Sequence, residues 1–342
     1  MHNHEAFLNF TTNETMLNAT NSSRSQPPLG AYDICEITNL ILAVLFNSTI
    51  LLILLHQPRE VARNPFLIYV LNLLIANLVF FICYTPLDLA VDDMADFSFG
   101  LPACSFYLYA QYCVGNISIF GHLLIVINRI WAVAAPIHYK QHHTVRITTI
   151  LCGISWIIMH VIIVPGIVFN ATLLSKSNMP KGCVVDVINS VILKTWNTFA
   201  QMVLVISEII MLAGCPYILR KKHGTRQIAK SADSDTNDGA SYTANKDTVV
   251  MKVYKRKADE NKETSWLLLL LTLSVFFFWT PSMIWYIKLS FSSIYDPYVT
   301  QVINLIFNFQ AVVDPIVFTL AFDRIRKYFE YNPCTGVQYF GW

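Results

Sequence analysis

Few residues in this chain are placed to do covalent chemistry. His122 and His160 stand alone in apolar surroundings, where a satisfied core histidine is the simpler reading, and no nucleophile is paired with a base. No His-rich cluster offers a metal site, and no cofactor is expected. The available chemistry is of another kind. Arg129, Glu208 and Asp314 are ionisable residues at or inside long apolar stretches, with Asn47, Asn77 and Ser118 in similar settings. Such side chains are expensive to place there and usually mark function.

Those stretches define the architecture. Of 342 residues, 54% are apolar or aromatic and 13% are charged. Soluble domains carry roughly 25% charged residues, so about half the usual solvating charge is missing. That balance excludes a disordered protein, a nucleic-acid-binding arm and most soluble enzymes. Crossing a bilayer takes about 20 apolar residues of helix. Residues 37–55, 66–87, 101–128, 147–174 and 264–287 contain no Asp, Glu, Lys or Arg. Residues 195–219 contain only Glu208, and 297–322 only Asp314. The expectation is an all-α membrane protein, a bundle of seven transmembrane helices.

Orientation comes from the basic residues. With the amino terminus outside, nineteen of the 24 Lys and Arg fall on the cytoplasmic side and five on the other. Residues 1–33 then form an extracellular segment with four glycosylation acceptors, Asn9, Asn13, Asn18 and Asn21. Asn170, at the outer end of span 4, is a further candidate. No apolar run precedes residue 34, so the first span is expected to act as the targeting signal to the plasma membrane.

The membrane domain thus covers 34–322, with one long cytoplasmic loop, 220–263. Its middle, 231–246, is rich in Ser, Thr, Asn, Asp and Gly and reads as disordered, while its basic ends read as continuations of spans 5 and 6. In the tail, 323–342, Phe322, Ile325 and Phe329 share one face of a short amphipathic interfacial helix, followed by Cys334, a candidate for lipidation. Cys83, Cys113, Cys152 and Cys215 lie in spans as packing. Cys104 and Cys183 both face the oxidising side, which predicts a bridge between them and leaves Cys35 over.

With these features the chain resembles the rhodopsin-like (class A) G-protein-coupled receptors, over roughly residues 34–330. Asn47 stands in Phe-Asn-Ser-Thr-Ile, Asn77 in Leu-Leu-Ile-Ala-Asn-Leu, and Pro86 further along span 2. Asn128-Arg129-Ile130 ends span 3, and Pro136-Ile-His-Tyr139 comes next. Trp156 and Pro165 mark span 4, Tyr217 span 5, Phe278-Trp279-Thr280-Pro281 span 6, and Asp314-Pro315-Ile-Val-Phe318 span 7. The resemblance implies an extracellular ligand, a heterotrimeric G protein and arrestin as partners, besides membrane lipids and no nucleic acid. It gives Asn128, Arg129, Ile130, Tyr217, Asp314, Pro315 and Phe318 to coupling. Asn47, Asn77, Ser118 and Asp314 become a polar core. The ligand pocket falls to Tyr84, Gln111, Tyr112, Gly115, Trp279, Ser282, Tyr286, Asn304 and Asn308.

The departures carry information. Asn128 replaces the family's acid, so it can hydrogen-bond Arg129 but cannot pair its charge. Asn77 and Asp314 exchange the usual Asp and Asn, and Phe318 lacks the usual hydroxyl. Asn308 stands at the position of a retinal lysine, and Gln111 where a monoamine receptor has Asp, which disfavours both ligand classes. Asp88, Asp92, Asp93 and Asp96 in the first outer loop have two readings, a solvated acidic face or an attractor for a cationic peptide. A coupling receptor has three rivals on these residues: a transporter, a membrane enzyme, and a non-signalling or decoy member of the same fold.

Overall fold

The structure, a computed structural model, describes residues 30–90, 99–176, 183–187, 190–235, 269–289, 291 and 296–321. Seven helices are long and apolar enough to cross a membrane: span 1 (Ala31–Leu55), span 2 (Phe66–Ala90), span 3 (Gly100–Ala134), span 4 (Val145–Leu174), span 5 (Val191–Lys221), span 6 (Leu269–Leu289) and span 7 (Tyr298–Leu320). Large aliphatic and aromatic side chains such as Val161, Ile157 and Phe277 point outward from them, as lipid-facing surface requires. The four predicted glycosylation acceptors, the amphipathic helix and Cys334 lie outside the described residues.

Three boundaries differ from those expected of the sequence. Span 1 begins at Ala31, because Asp33 and Glu36 are buried within the bundle rather than left in solvent; the charge-free run starts later than the helix does. Span 2 breaks at Tyr84 and resumes as Thr85–Ala90, where Pro86 lacks the N–H that would continue the ladder. Asp88 is therefore not part of a solvated rim, and Asp92, Asp93 and Asp96 fall outside the described residues. The helix of span 5 runs on to Asp235, so residues 231–235 are helical where their composition suggests loop.

Span 3 carries a π-helical turn at Ala110–Val114. One extra residue per turn rotates everything beyond it, and such turns concentrate at functional sites. Here it lies where Gln111 and Tyr112 sit. Elsewhere small residues let helices approach. A Cβ at Gly214 would fall 2.8 Å from Ile130 of span 3, and one at Gly166 would fall 2.0 Å from the Trp196 ring. Two cores result, a larger one around Ile117, Val312 and Trp279 and a second around Phe66, Leu73 and Phe318.

The Cys104–Cys183 bridge ties the segment between spans 4 and 5 to span 3. Asn170 secures the same segment: its amide donates to the Val184 carbonyl (3.4 Å) and accepts from the Asp186 N–H (3.1 Å). At 1% exposure it is engaged in packing and is not a glycan acceptor in this fold. Cys35 is exposed and unpaired.

Candidate functional site

At the disulfide end a small cleft opens between the helices. Seven of the predicted residues line it: Tyr84, Gln111, Tyr112, Ser282, Tyr286, Asn304 and Asn308. Its remaining wall is Phe80, Asn116, Gln201, Leu204, Met283 and Phe307. No carboxylate or basic side chain is among the lining residues. Gly115 and Trp279 are not on the wall. A Cβ at Gly115 would come within 3.1 Å of Phe80, so the glycine serves the approach of span 2 to span 3. Trp279 lies one layer deeper, 5.5 Å from the Phe307 ring above it and 5.3 Å from the His122 ring below.

Below Trp279 is a connected polar centre. Asn77 donates to Asp314 (3.1 Å) and to Asn47 (3.3 Å), and it accepts from Ser118 (2.9 Å). Asn47 in turn donates to the carbonyls of Ala43 (2.7 Å) and Ala311 (2.8 Å). The other oxygen of Asp314 faces His122 Nε2 at 2.9 Å and accepts from Gln310 at 2.5 Å. His122 Nδ1 lies 2.8 Å from the Ser118 carbonyl, which can only accept, so that nitrogen carries a hydrogen. Gln310 also reaches Ser274 of span 6, at 3.1 Å. Spans 1, 2, 3, 6 and 7 thus meet around one carboxylate. Glu208 of span 5 is separate and accepts from Thr280, beside Trp279 and Pro281.

The opposite end is built differently. The Arg129 guanidinium lies over the Phe66 ring, 3.6 Å from its centroid, and among the described residues no carboxylate pairs with it. The hydrogen bond to Arg129 that Asn128 could make is not made; Asn128 is buried beside Tyr139 instead. Its neighbour Ile130 packs at Gly214, and Phe318 is fully buried. Pro315 lies inside span 7, and Tyr217 is 43% exposed with Lys221 5.8 Å from its ring. His143, between the short helix Pro136–His142 and span 4, stacks on Tyr139 (4.3 Å) and Tyr69 (6.2 Å). Burial first, and the Arg129 charge second, push its pKa down to about 4.

Residues 46–318 match the model of the 7 transmembrane receptor (rhodopsin family). The chain belongs to that family. The M3 muscarinic acetylcholine receptor of Mus musculus is 23% identical over 179 residues, 51% of this chain and 30% of that receptor. The octopamine receptor of Bombyx mori is 29% identical over 135 residues, 37% of this chain and 28% of that receptor. The matched stretches span less than a third of those curated relatives. The family is one of multi-pass membrane receptors, not of enzymes.

Several functional-looking residues of this receptor have no motif to announce them. His122 is the satisfied core histidine expected of it, but the partner that satisfies it, Asp314, lies 192 positions away. Helical spacing offers a signal for some. Asn116 stands four residues after Tyr112, and Phe307 precedes Asn308 within a turn of Asn304, so each shares a face with a residue already placed in the pocket. Gln201, Glu36 and Phe66 carry no such signal.

Proposed function

We propose that this receptor takes an extracellular ligand into the cleft at its disulfide end and activates a heterotrimeric G protein from its Arg129 end. The observation that carries the reading is contact continuity. Phe307 lines the cleft, Trp279 lies against Phe307, His122 against Trp279, and Asp314 against His122. A ligand that shifts Phe307 therefore acts on the one carboxylate that spans 2, 3 and 7 share, and Gln310 carries the shift on to Ser274 of span 6. The segregation of basic residues supports an extracellular amino terminus and insertion in the plasma membrane, with arrestin and anionic lipid as further partners of the basic face.

The cleft is neutral and aromatic, with Gln111 in its wall rather than an acid. Relatives are named for acetylcholine and octopamine, both organic cations at neutral pH. A cationic ligand here needs its counter-charge from another position.

The test is basal G-protein activation in cells, across the Gs, Gi, Gq and G12 classes, for wild type and Arg129→Ala at equal surface expression. A basal signal that Arg129→Ala abolishes supports coupling and names the transducer. A basal signal untouched by that change overturns the role given to Arg129. The non-signalling reading is favoured by Asn128 in place of an acid, which leaves Arg129 without an anionic partner among the described residues, and a ligand that binds the purified receptor yet moves no G-protein class would establish it.

A further inference from the structure

Span 1 brings two carboxylates, three residues apart and so on one helix face, into the corner it forms with spans 2 and 7. Asp33 is 7% exposed and Glu36 is 0% exposed. Each has one oxygen satisfied and one not. Asp33 Oδ2 accepts the Gly30 N–H (2.8 Å), while its Oδ1 is buried without a partner. Glu36 Oε1 accepts from the Asn308 amide (3.0 Å), while its Oε2 is buried without a partner. A third carboxylate, Asp88, lies within electrostatic reach of both. It is already saturated, accepting the hydroxyls of Tyr32 (2.9 Å), Tyr84 (2.9 Å) and Tyr107 (2.8 Å).

Among the described residues no Lys, Arg or His pairs with any of the three. Buried carboxyls that crowd one another without a counter-charge cost several kcal/mol each to ionise. Two further observations connect the corner to the cleft. Asn308 and Tyr84 both line the cleft, and each has a carboxylate directly behind it. Asn308 thus stands between the cleft and Glu36, bonded to the one and lining the other.

We infer that the Glu36–Asp33 corner is the anionic subsite of the ligand cleft, built to receive an organic cation, the ammonium or guanidinium of the ligand. The inference rests on the receptor reading above and specifies its ligand class. The occupant is organic rather than a metal ion for two reasons. No three His, Cys, Asp or Glu side chains among the described residues come together as a metal-ligand set. The walls are aromatic, with Tyr84 stacked on Phe80 (4.8 Å) and on Tyr107 (5.4 Å), the surface that favours ammonium groups.

The probe is 2-phenylethylammonium, with 2-phenylethanol as its neutral counterpart, and the readout is the unfolding midpoint of the full-length receptor in nanodiscs. The amine should raise the midpoint of wild type progressively with concentration, as a ligand of the folded state must, and the alcohol should not. Glu36→Gln should raise the midpoint of the ligand-free receptor, by removing an unpaired anion, and should shift the amine response to at least tenfold higher concentration. Asp33→Asn carries the same expectation and serves if Glu36→Gln does not fold. Equal stabilisation by the alcohol overturns the inference. So does an equal shift from calcium chloride at matched ionic strength, or a ligand-free midpoint that falls in Glu36→Gln while the amine response persists. The midpoint needs no G protein, so a flat amine response beside an Arg129-dependent basal signal sinks the subsite and leaves the receptor reading standing.

Discussion

At the disulfide end of the bundle, Asp33 and Glu36 each keep a buried oxygen without a partner, whereas at the far end Arg129 lies on the face of Phe66 with no acid beside it among the described residues. Between them the charges are matched: Asp314 has His122, Asn77 and Gln310 around it. One end thus holds carboxyls without a basic partner, the other a guanidinium without an acidic one among the described residues, and the middle a carboxyl with donors on both oxygens. A buried charge without a partner is tolerated where something outside the fold supplies one, and a site that only transmits has no such need.

That contrast is broken most severely in the middle. Asp314→Ala leaves the His122 imidazole and the Asn77 and Gln310 donors facing an empty site. Stability should drop by about 3–5 kcal/mol, the cost of breaking a buried pair from one side. The unfolding midpoint of purified receptor measures it. Adding His122→Leu to that variant should recover part of the loss, since the stranded partner is gone; a purely additive double variant would mean the pair is not a unit.

At the Arg129 end the expected effects are smaller and appear in signalling. Asn128→Asp supplies the missing anion, and a charge-assisted hydrogen bond of about 1.5 kcal/mol would lower basal G-protein activation roughly tenfold. Phe66→Leu removes the ring beneath the guanidinium, worth about 0.5–1 kcal/mol, and should raise basal activation a few-fold. If both variants signal like wild type at equal surface expression, Arg129 is not held in the resting state by what it touches here.

The smallest effect concerns pH. His143 is kept neutral in the fold, with its pKa pushed down to about 4 by burial and by Arg129. An unfolded histidine takes its proton near pH 6.5, so between there and about 4 the unfolded state binds a proton that the folded state refuses. Stability from this group is full above pH 6.5 and declines as pH falls. His143→Gln should therefore lose less of its unfolding midpoint than wild type between pH 7 and 4.5, and parallel curves would count against the assignment.

How much of this was legible depends on the distance over which each feature is defined. The seven spans were, because crossing lipid demands a long uncharged run that the chain displays locally. Their first boundary was not, because Asp33 and Glu36 break that rule while remaining buried. The grouping of Asn47, Asn77, Ser118 and Asp314 was reachable through resemblance, as was most of the cleft wall. His122 against Asp314, Glu36 against Asn308 and Phe66 beneath Arg129 were not. Each joins different helices, the second across 272 positions, and nothing in either residue's neighbourhood names the other.

By itself the sequence determined the number of spans, their order, the side on which basic residues gather and the bridge from Cys104 to Cys183. These features arise from solvation and from redox chemistry, which act on residue types and short runs. Only the tertiary structure decided which faces of those helices meet. A π turn such as Ala110–Val114 adds one residue and rotates the rest of its helix by about 100°, so facing is set by helix register and packing rather than by composition. For that reason the carboxyls of span 1 and the cleft walled by spans 2, 3, 5, 6 and 7 are brought side by side only in the folded bundle.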